Sequence, residues 1–252
     1  MFRTMKQAFN NTVSLAPAGV SRRRVVLGID PGSRLLGYAV LSIEGKGAGR
    51  RSGQSRSRGS SRQGDMCRLD SGTLNLIALA KKRRTDSRCQ LGEESVSQDD
   101  ITMSERLAAI WDSLSGIVAA FQPTELAIED LFNRKNIQSL KKLSQARGVV
   151  LALAGLSELP VSEYSPASVK QSVVGHGRAK KEQIRAILSS QLDMPPSVGT
   201  DESDAIAIAL CHIRSASQGV STPTTVLNTV EGRHPILGRR SIVANTVDKV
   251  GT

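Results

Sequence analysis

The chain has 252 residues, of which 39% are hydrophobic but only 3% aromatic, and a formal net charge of +11. That length suits one domain of ordinary size with additions, built around an aliphatic core. Cys67, Cys89 and Cys211 show no Cys-x-x-Cys spacing, which argues against a disulfide framework and for reduced thiols. The longest apolar runs, near residues 149–156 and 205–210, fall short of the about 20 residues that span a bilayer, and the N-terminus lacks the apolar stretch of a signal peptide. The expected setting is therefore the cytoplasm, away from any membrane.

The positive charge suggests an anionic partner, with nucleic acid first. Its location qualifies that. Residues 1–24, 44–69 and 214–252 together carry more than the whole excess, so the rest of the chain is slightly negative. What matters in the core is how charge is arranged.

In chain order, residues 1–22 show no clear period and read as a disordered extension. Residues 25–30 (VVLGID) form an apolar strand that ends on Asp30 and is turned at once by Pro31 and Gly32. Residues 37–43 form a second strand. Residues 44–69 are rich in Gly, Ser and Arg and cannot order themselves by burial. Residues 73–79 read as a third strand, and 81–100 as a charged loop, so low-complexity inserts are expected at about 44–69 and 77–100. Thr102 or Ser104 caps a helix running to about Phe121, with Leu107, Ile110, Trp111, Leu114 and Val118 at helical spacing. Residues 126–129 (LAIE) form a short buried strand, again ending in an acid. Residues 136–156 are helical in period, 161–164 are a strand, and 166–174 and 178–191 are helices interrupted by Gly175-His176-Gly177. Residues 201–213 are an Ala-rich helix with Thr200 as its N-cap. Residues 217–252 read as a disordered tail, which leaves 23–216 as the folded domain. The order β-β-β-α-β-α-β-α predicts an α/β fold of the ribonuclease H-like type, a mixed five-stranded sheet with helices on both faces.

Acids stand where structure alone would not place them. A buried carboxylate is costly unless a cation or hydrogen bonds compensate it. Asp30 ends the first strand and Glu129 the fourth, while Asp201 and Asp204 lie three apart and so share one helix face. Taken singly, each has a plain reading: a turn residue before Pro-Gly, a solvated strand end, first-turn acids that serve the helix dipole. Alternation sends Asp130 to the opposite face from Glu129, and Glu202 falls off the Asp201/Asp204 face; both read as solvated or structural. Together the four form a carboxylate set with no His or Cys ligands nearby. Oxygen-only ligands select hard cations such as Mg²⁺ or Mn²⁺, and paired ions suit in-line displacement at phosphorus.

The segments GIDPGS, AIEDLF, LSQARG, VKQSVVGHGRAKK and DESDAIAIA occur in that order, and the chain resembles the RuvC-type Holliday-junction resolvases over roughly residues 25–213. The resemblance implies a homodimer that binds a four-way DNA junction and hydrolyses two strands of like polarity, leaving 5′-phosphate and 3′-hydroxyl ends. It implies two Mg²⁺ ions per subunit, with Mn²⁺ able to substitute, held by Asp30, Glu129, Asp201 and Asp204. It also implies a partnership with a branch-migration motor of the RuvA and RuvB type. Phe132 matches an aromatic position used against bases at the junction centre; aromatic faces stack on unpaired bases, though Phe132 reads equally well as core. Basic residues fall in two windows: Arg134, Lys135, Lys141, Lys142 and Arg147, then Lys170, Arg178, Lys180, Lys181 and Arg185. Lys170 and Lys181 match the family's DNA-facing positions. The set Phe132, Arg134, Lys135, Lys141, Lys170, Arg178 and Lys181 is the expected DNA interface. His176 reads as a loop residue, and Cys211 and His212 as helix packing and surface. A non-catalytic junction-binding protein on the same fold is the competing reading; the acid set argues against it, since anions near phosphate would only weaken binding. An actin-like ATPase, whose phosphate loops also begin Asp-x-Gly, would need a later Gly-rich nucleotide-binding segment, and none is found.

Overall fold

Pro31 and Gly32 stop the first apolar run before it can lengthen, and it becomes the centre of the sheet. The computed structural model describes residues 23–44, 66–88, 101–131, 137–192, 194, 198–217 and 224–225. Their elements are β1 (Arg24–Asp30), β2 (Leu35–Ile43), β3 (Met66–Asn75), α1 (Leu76–Arg88), α2 (Met103–Phe121), β4 (Glu125–Glu129), α3 (Ile137–Leu156), β5 (Val161–Tyr164), α4 (Pro166–Val174), α5 (Lys181–Leu192), α6 (Thr200–Ser217) and β6 (Thr224–Thr225). The sheet runs β3-β2-β1-β4-β5-β6. β1 pairs antiparallel with β2 and parallel with β4, and β4 pairs parallel with β5. The sheet is therefore mixed, as expected, but it has a sixth strand. β6 is two residues long, adds antiparallel to β5, and lies in the section read as tail.

Strand alternation sorts the core into two layers. Val26 and Ala127 pack with Tyr164 and with Ala205, Ile206 and Ala209 of α6. Leu27, Ile29, Leu126 and Ile128 pack on the other face with Ile110 and Leu114 of α2 and with Ala146 and Val150 of α3. Asp30 and Glu129 share parity with Val26 and Ala127, so both carboxylates stand on the α6 face.

That face is tight. A Cβ on Gly28 would lie 2.5 Å from the Ala205 carbonyl oxygen and 2.7 Å from the Ala209 Cβ. Only hydrogen on β1, facing small residues on α6, allows the helix so close. The remaining alanines complete a helix buried almost throughout its middle, from Ala205 to Ile213.

The sequence reading misplaced the third strand, which ends at Asn75, and missed α1 altogether. The signals are local. Asn75 Oδ1 accepts from the Ala78 main-chain N–H, which is an N-cap contact. Leu76, Ile77 and Ala80 form a buried stripe. The charges on this helix did not make it a loop, because they are used against α2: Arg84 bonds Glu105, and Arg83 Nε lies 2.7 Å from Asp112. Of the proposed insert at 77–100, residues 89–100 lie outside the described residues, as do 45–65 and 1–22. For α2 the cap is Thr102, in a capping box with Glu105.

At the far end of the sheet from Asp30, Arg24 donates to both oxygens of Glu125, at 2.7 and 2.6 Å. His212 Nε2 lies 2.5 Å from Glu125 Oε2, and His212 Nδ1 lies 2.7 Å from the Tyr164 hydroxyl. His212 is buried, not a surface residue as its sequence position suggested. Burial pushes Glu125 upward, but the hydrogen bonds and charges of Arg24 and His212 outweigh it and hold its pKa at about 2.

Replacing Gly28 with Ala would drive a methyl into α6. We expect a loss of about 3 kcal/mol, the upper end of ordinary overpacking, read as a fall in the urea midpoint at constant slope. An unchanged midpoint would mean that the helix is not held at this distance.

Candidate active site

Three chain segments meet at the C-terminal edge of β1 and β4. Asp30 is the last residue of β1 and Glu129 the last of β4. The ladder Ile29–Ile128 places these two ends side by side. The third segment is the N-terminal end of α6, with Asp201 in its first turn and Asp204 just after it. Its approach depends on Gly37, which pairs with Asp30 across β1 and β2. A Cβ on Gly37 would lie 2.0 Å from the Asp201 carbonyl oxygen, so only glycine lets the helix start against β2 at this level.

The electrostatics follow from that convergence. The Asp30 carboxyl is pushed up to about 7, first by burial and then by the negative charges of Glu129, Asp204 and Asp201, with Lys181 pulling the other way. Lys181 Nζ lies 3.0 Å from Asp204 Oδ2. Among the described residues, no three acid, His or Cys side chains close into a ready ligand shell. The carboxylates repel one another, and Asp204 turns to the Lys181 ammonium. All four donors are oxygen, and among the described residues Lys181 is a cation placed against one of them. That is the chemistry of a site fitted to a hard cation.

The surrounding residues sort into different roles. Glu202 accepts from the Ser71 hydroxyl at 2.6 Å, which ties the first turn of α6 to β3; it is structural, as its place off the Asp201/Asp204 face implied. Thr200 opens the helix rather than capping it from outside, and its hydroxyl accepts from Arg185 Nη2 at 2.6 Å. Of the expected DNA contacts, Lys141 is exposed on α3, Lys170 is half-buried on α4, Arg178 is exposed between α4 and α5, and Lys181 is exposed at the start of α5. Lys181 also reaches the acids. Phe132, Arg134 and Lys135 lie outside the described residues. Arg147, grouped by sequence with the DNA-facing bases, is turned inward and buried. Gly37 was missed, although its signal was present: a glycine inside a strand often marks a close backbone approach.

A mixed sheet with acids at the ends of two adjacent strands, completed by acids on a covering helix, defines a ribonuclease H-like nuclease fold. Comparison with known proteins narrows the class. The family described as "Crossover junction endodeoxyribonuclease RuvC" matches residues 78–212. The protein of that name from Idiomarina loihiensis is 35% identical over 209 residues, covering 83% of this chain and 98% of its own length. The one from Citrifermentans bemidjiense is 35% identical over 192 residues, covering 76% and 93%. Among solved structures, T. thermophilus RuvC in complex with Holliday junction substrate aligns with a TM-score of 0.59 at 26% identity, covering 79% of this chain and 98% of that one. The chain belongs to the crossover junction endodeoxyribonuclease RuvC family.

The raised pKa of Asp30 has a stability consequence. Between its ordinary value and about 7 the unfolded chain has released this proton while the folded chain keeps it. The unfolded state then binds fewer protons, so stability falls as pH rises through this window. A difference of that size is worth about 4 kcal/mol at most. In chelator, Asp30→Asn should therefore melt at a higher temperature than the wild type at pH 8 and close to it at pH 4. Equal melting temperatures at both pH values would show that Asp30 carries no uncompensated charge.

Proposed function

We propose that this chain is a structure-selective endonuclease that resolves four-way (Holliday) DNA junctions in recombination and repair. The observation that supports it best is Asp30: a half-buried carboxyl at a strand end, whose pKa is raised to about 7 by desolvation and by Glu129, Asp204 and Asp201. A protein that only bound DNA would gain nothing from four acids facing phosphate. The names carried by its relatives supply the substrate class.

In this reading Asp30, Glu129, Asp201 and Asp204 hold Mg²⁺, two ions per subunit, with Mn²⁺ able to replace it. Bound there, the ions would activate water and stabilise the leaving oxygen of an in-line displacement. The chain's own residues set the rest. The β1 and β4 ends and the N-terminal end of α6 keep the four carboxylates on one face. Lys181, paired with Asp204, stands at the acid edge where its ammonium would meet a phosphate. Lys141, Lys170 and Arg178, with Phe132, Arg134 and Lys135, follow the backbone and the unpaired bases of the junction. Cleavage leaves 5′-phosphate and 3′-hydroxyl ends that a ligase can seal. Two copies acting together would cut two strands of like polarity, in concert with a RuvA and RuvB type branch-migration motor. No helix among the described residues is long and apolar enough to cross a membrane, and a cytoplasmic enzyme fits that. Residues 23–216 form the nuclease domain, with 1–22 and 217–252 as extensions.

The test is a mobile synthetic four-way junction incubated with the protein and Mg²⁺, with the cuts mapped on both strands. Asp30→Asn and Glu129→Gln should each slow cleavage by at least about 100-fold, the range expected when a group acting in the transition state is lost. Junction binding in a gel-shift assay should persist. Normal cutting by either variant would remove the acid edge from the chemistry.

A further inference from the structure

Arg147 sits mid-way along α3, on the face that packs against the sheet, with only 8% of its surface exposed. A guanidinium so placed is costly unless its charge and donors are met. Both are. Its Nη2 lies 2.6 Å from Glu163 Oε2 on β5, and its Nη1 donates to the main-chain oxygen of Glu129 at 2.6 Å. The register puts Ile128 beside Glu163 and Glu129 beside Tyr164, so the one side chain joins two adjacent strands at the level where β4 ends. Alternation sends the Glu163 side chain to the α3 face and the Glu129 side chain to the α6 face. Arg147 therefore grips the backbone of Glu129 from behind, on the side away from the acids.

We infer that Arg147 is a positioning residue for the active site: it fixes the Glu129 peptide so that the carboxylate stands beside Asp30, and Glu163 in turn orients Arg147. The inference rests on the nuclease reading of the acid edge. Just beyond β4 the Asp130 N–H donates to the Tyr164 oxygen and continues the pairing. Without Arg147 the strand end would lose a contact made directly to the residue that bears the ligand. A carboxylate displaced by about 1 Å is enough to cost about 100-fold in rate. Lysine would keep the charge but not the planar fork that serves a carboxylate and a carbonyl together.

The full chain should be compared as wild type, Arg147→Lys and Arg147→Met. Three quantities are read: melting temperature in chelator, its rise on adding MgCl₂ without DNA, and single-turnover cutting of a saturating four-way junction against Mg²⁺. We expect Arg147→Met to cut about 10–100-fold more slowly, the usual effect of losing a group that orients a metal ligand, while junction affinity is held. The Mg²⁺ concentration for half-maximal cutting, and that for half-maximal thermal shift, should both rise by about 10-fold, and Arg147→Lys should fall between. A merely structural role would lower the melting temperature in chelator without moving either Mg²⁺ midpoint. Folded variants with wild-type Mg²⁺ midpoints overturn the inference, and so does loss of the fold in both, which would assign Arg147 to the core alone. If the wild type does not cut the junction, the nuclease reading fails, and the thermal-shift midpoints still decide the case of Arg147.

Discussion

The close seating of α6 on β1 and β2 is the contact on which the rest of the site depends. Two of the acids belong to strands and two to a helix, and nothing in the chain order makes them neighbours. Gly28 and Gly37 do so by offering no side chain where Ala205, Ala209 and Asp201 approach. Gly28 sets the distance of the helix from the sheet, and Gly37 sets the level at which its first turn meets the strand ends. The second glycine pairs with Asp30 itself. The helix and the first strand are thus locked at the one point where a shift would separate the carboxylates.

The two ends of the central strands show how the same burial gives opposite results. At one end Glu125 is half-buried beside Arg24 and His212, and their bonds drive its pKa down to about 2. At the other end Asp30 is half-buried beside three more acids, with Lys181 pulling the other way, and its pKa is driven up to about 7. Solvent exclusion is common to both; the neighbours decide. The first end is a closed network that joins β1, β4 and α6. The second gathers four carboxylates at one edge, an arrangement that a bound cation would stabilise.

Much of this was legible in the sequence because strand ends and helix faces obey simple periods. An apolar run stopped by Pro31-Gly32 located Asp30, a similar run located Glu129, and a three-residue spacing paired Asp201 with Asp204. What failed had a physical reason in each case. α1 was hidden by Lys81, Lys82, Arg83 and Arg84, which look like a solvated loop until α2 supplies Glu105 and Asp112 as partners. Arg147 was grouped with surface bases because sequence does not say which face of α3 meets the sheet. His212 was read as surface for want of Glu125, which is distant in sequence and close in space. Gly37 was overlooked because a glycine in a strand announces a close approach but not what approaches. In each miss the partner came from another element, and local pattern carries no record of it.

The same sorting changes how the charge of the chain should be read. The family match begins at residue 78 and so omits β1 and Asp30, yet β1 lies at the centre of the sheet between β2 and β4. The Arg-, Ser- and Gly-rich segment lies in the sequence between β2 and β3, which pair directly with each other. That segment and the two ends of the chain hold more than the whole excess of positive charge, so the overall charge says little about the surface that meets DNA. Within the core, Arg147 and Arg185 are committed to Glu129, Glu163 and Thr200. Lys141, Lys142, Arg178, Lys180 and Lys181 remain exposed. Lys181 alone among these pairs with a site acid, which places the positive surface and the carboxylate edge in direct contact. On the proposed reading, a phosphate drawn to the basic side would arrive beside the acids, where a bound cation would offset their repulsion.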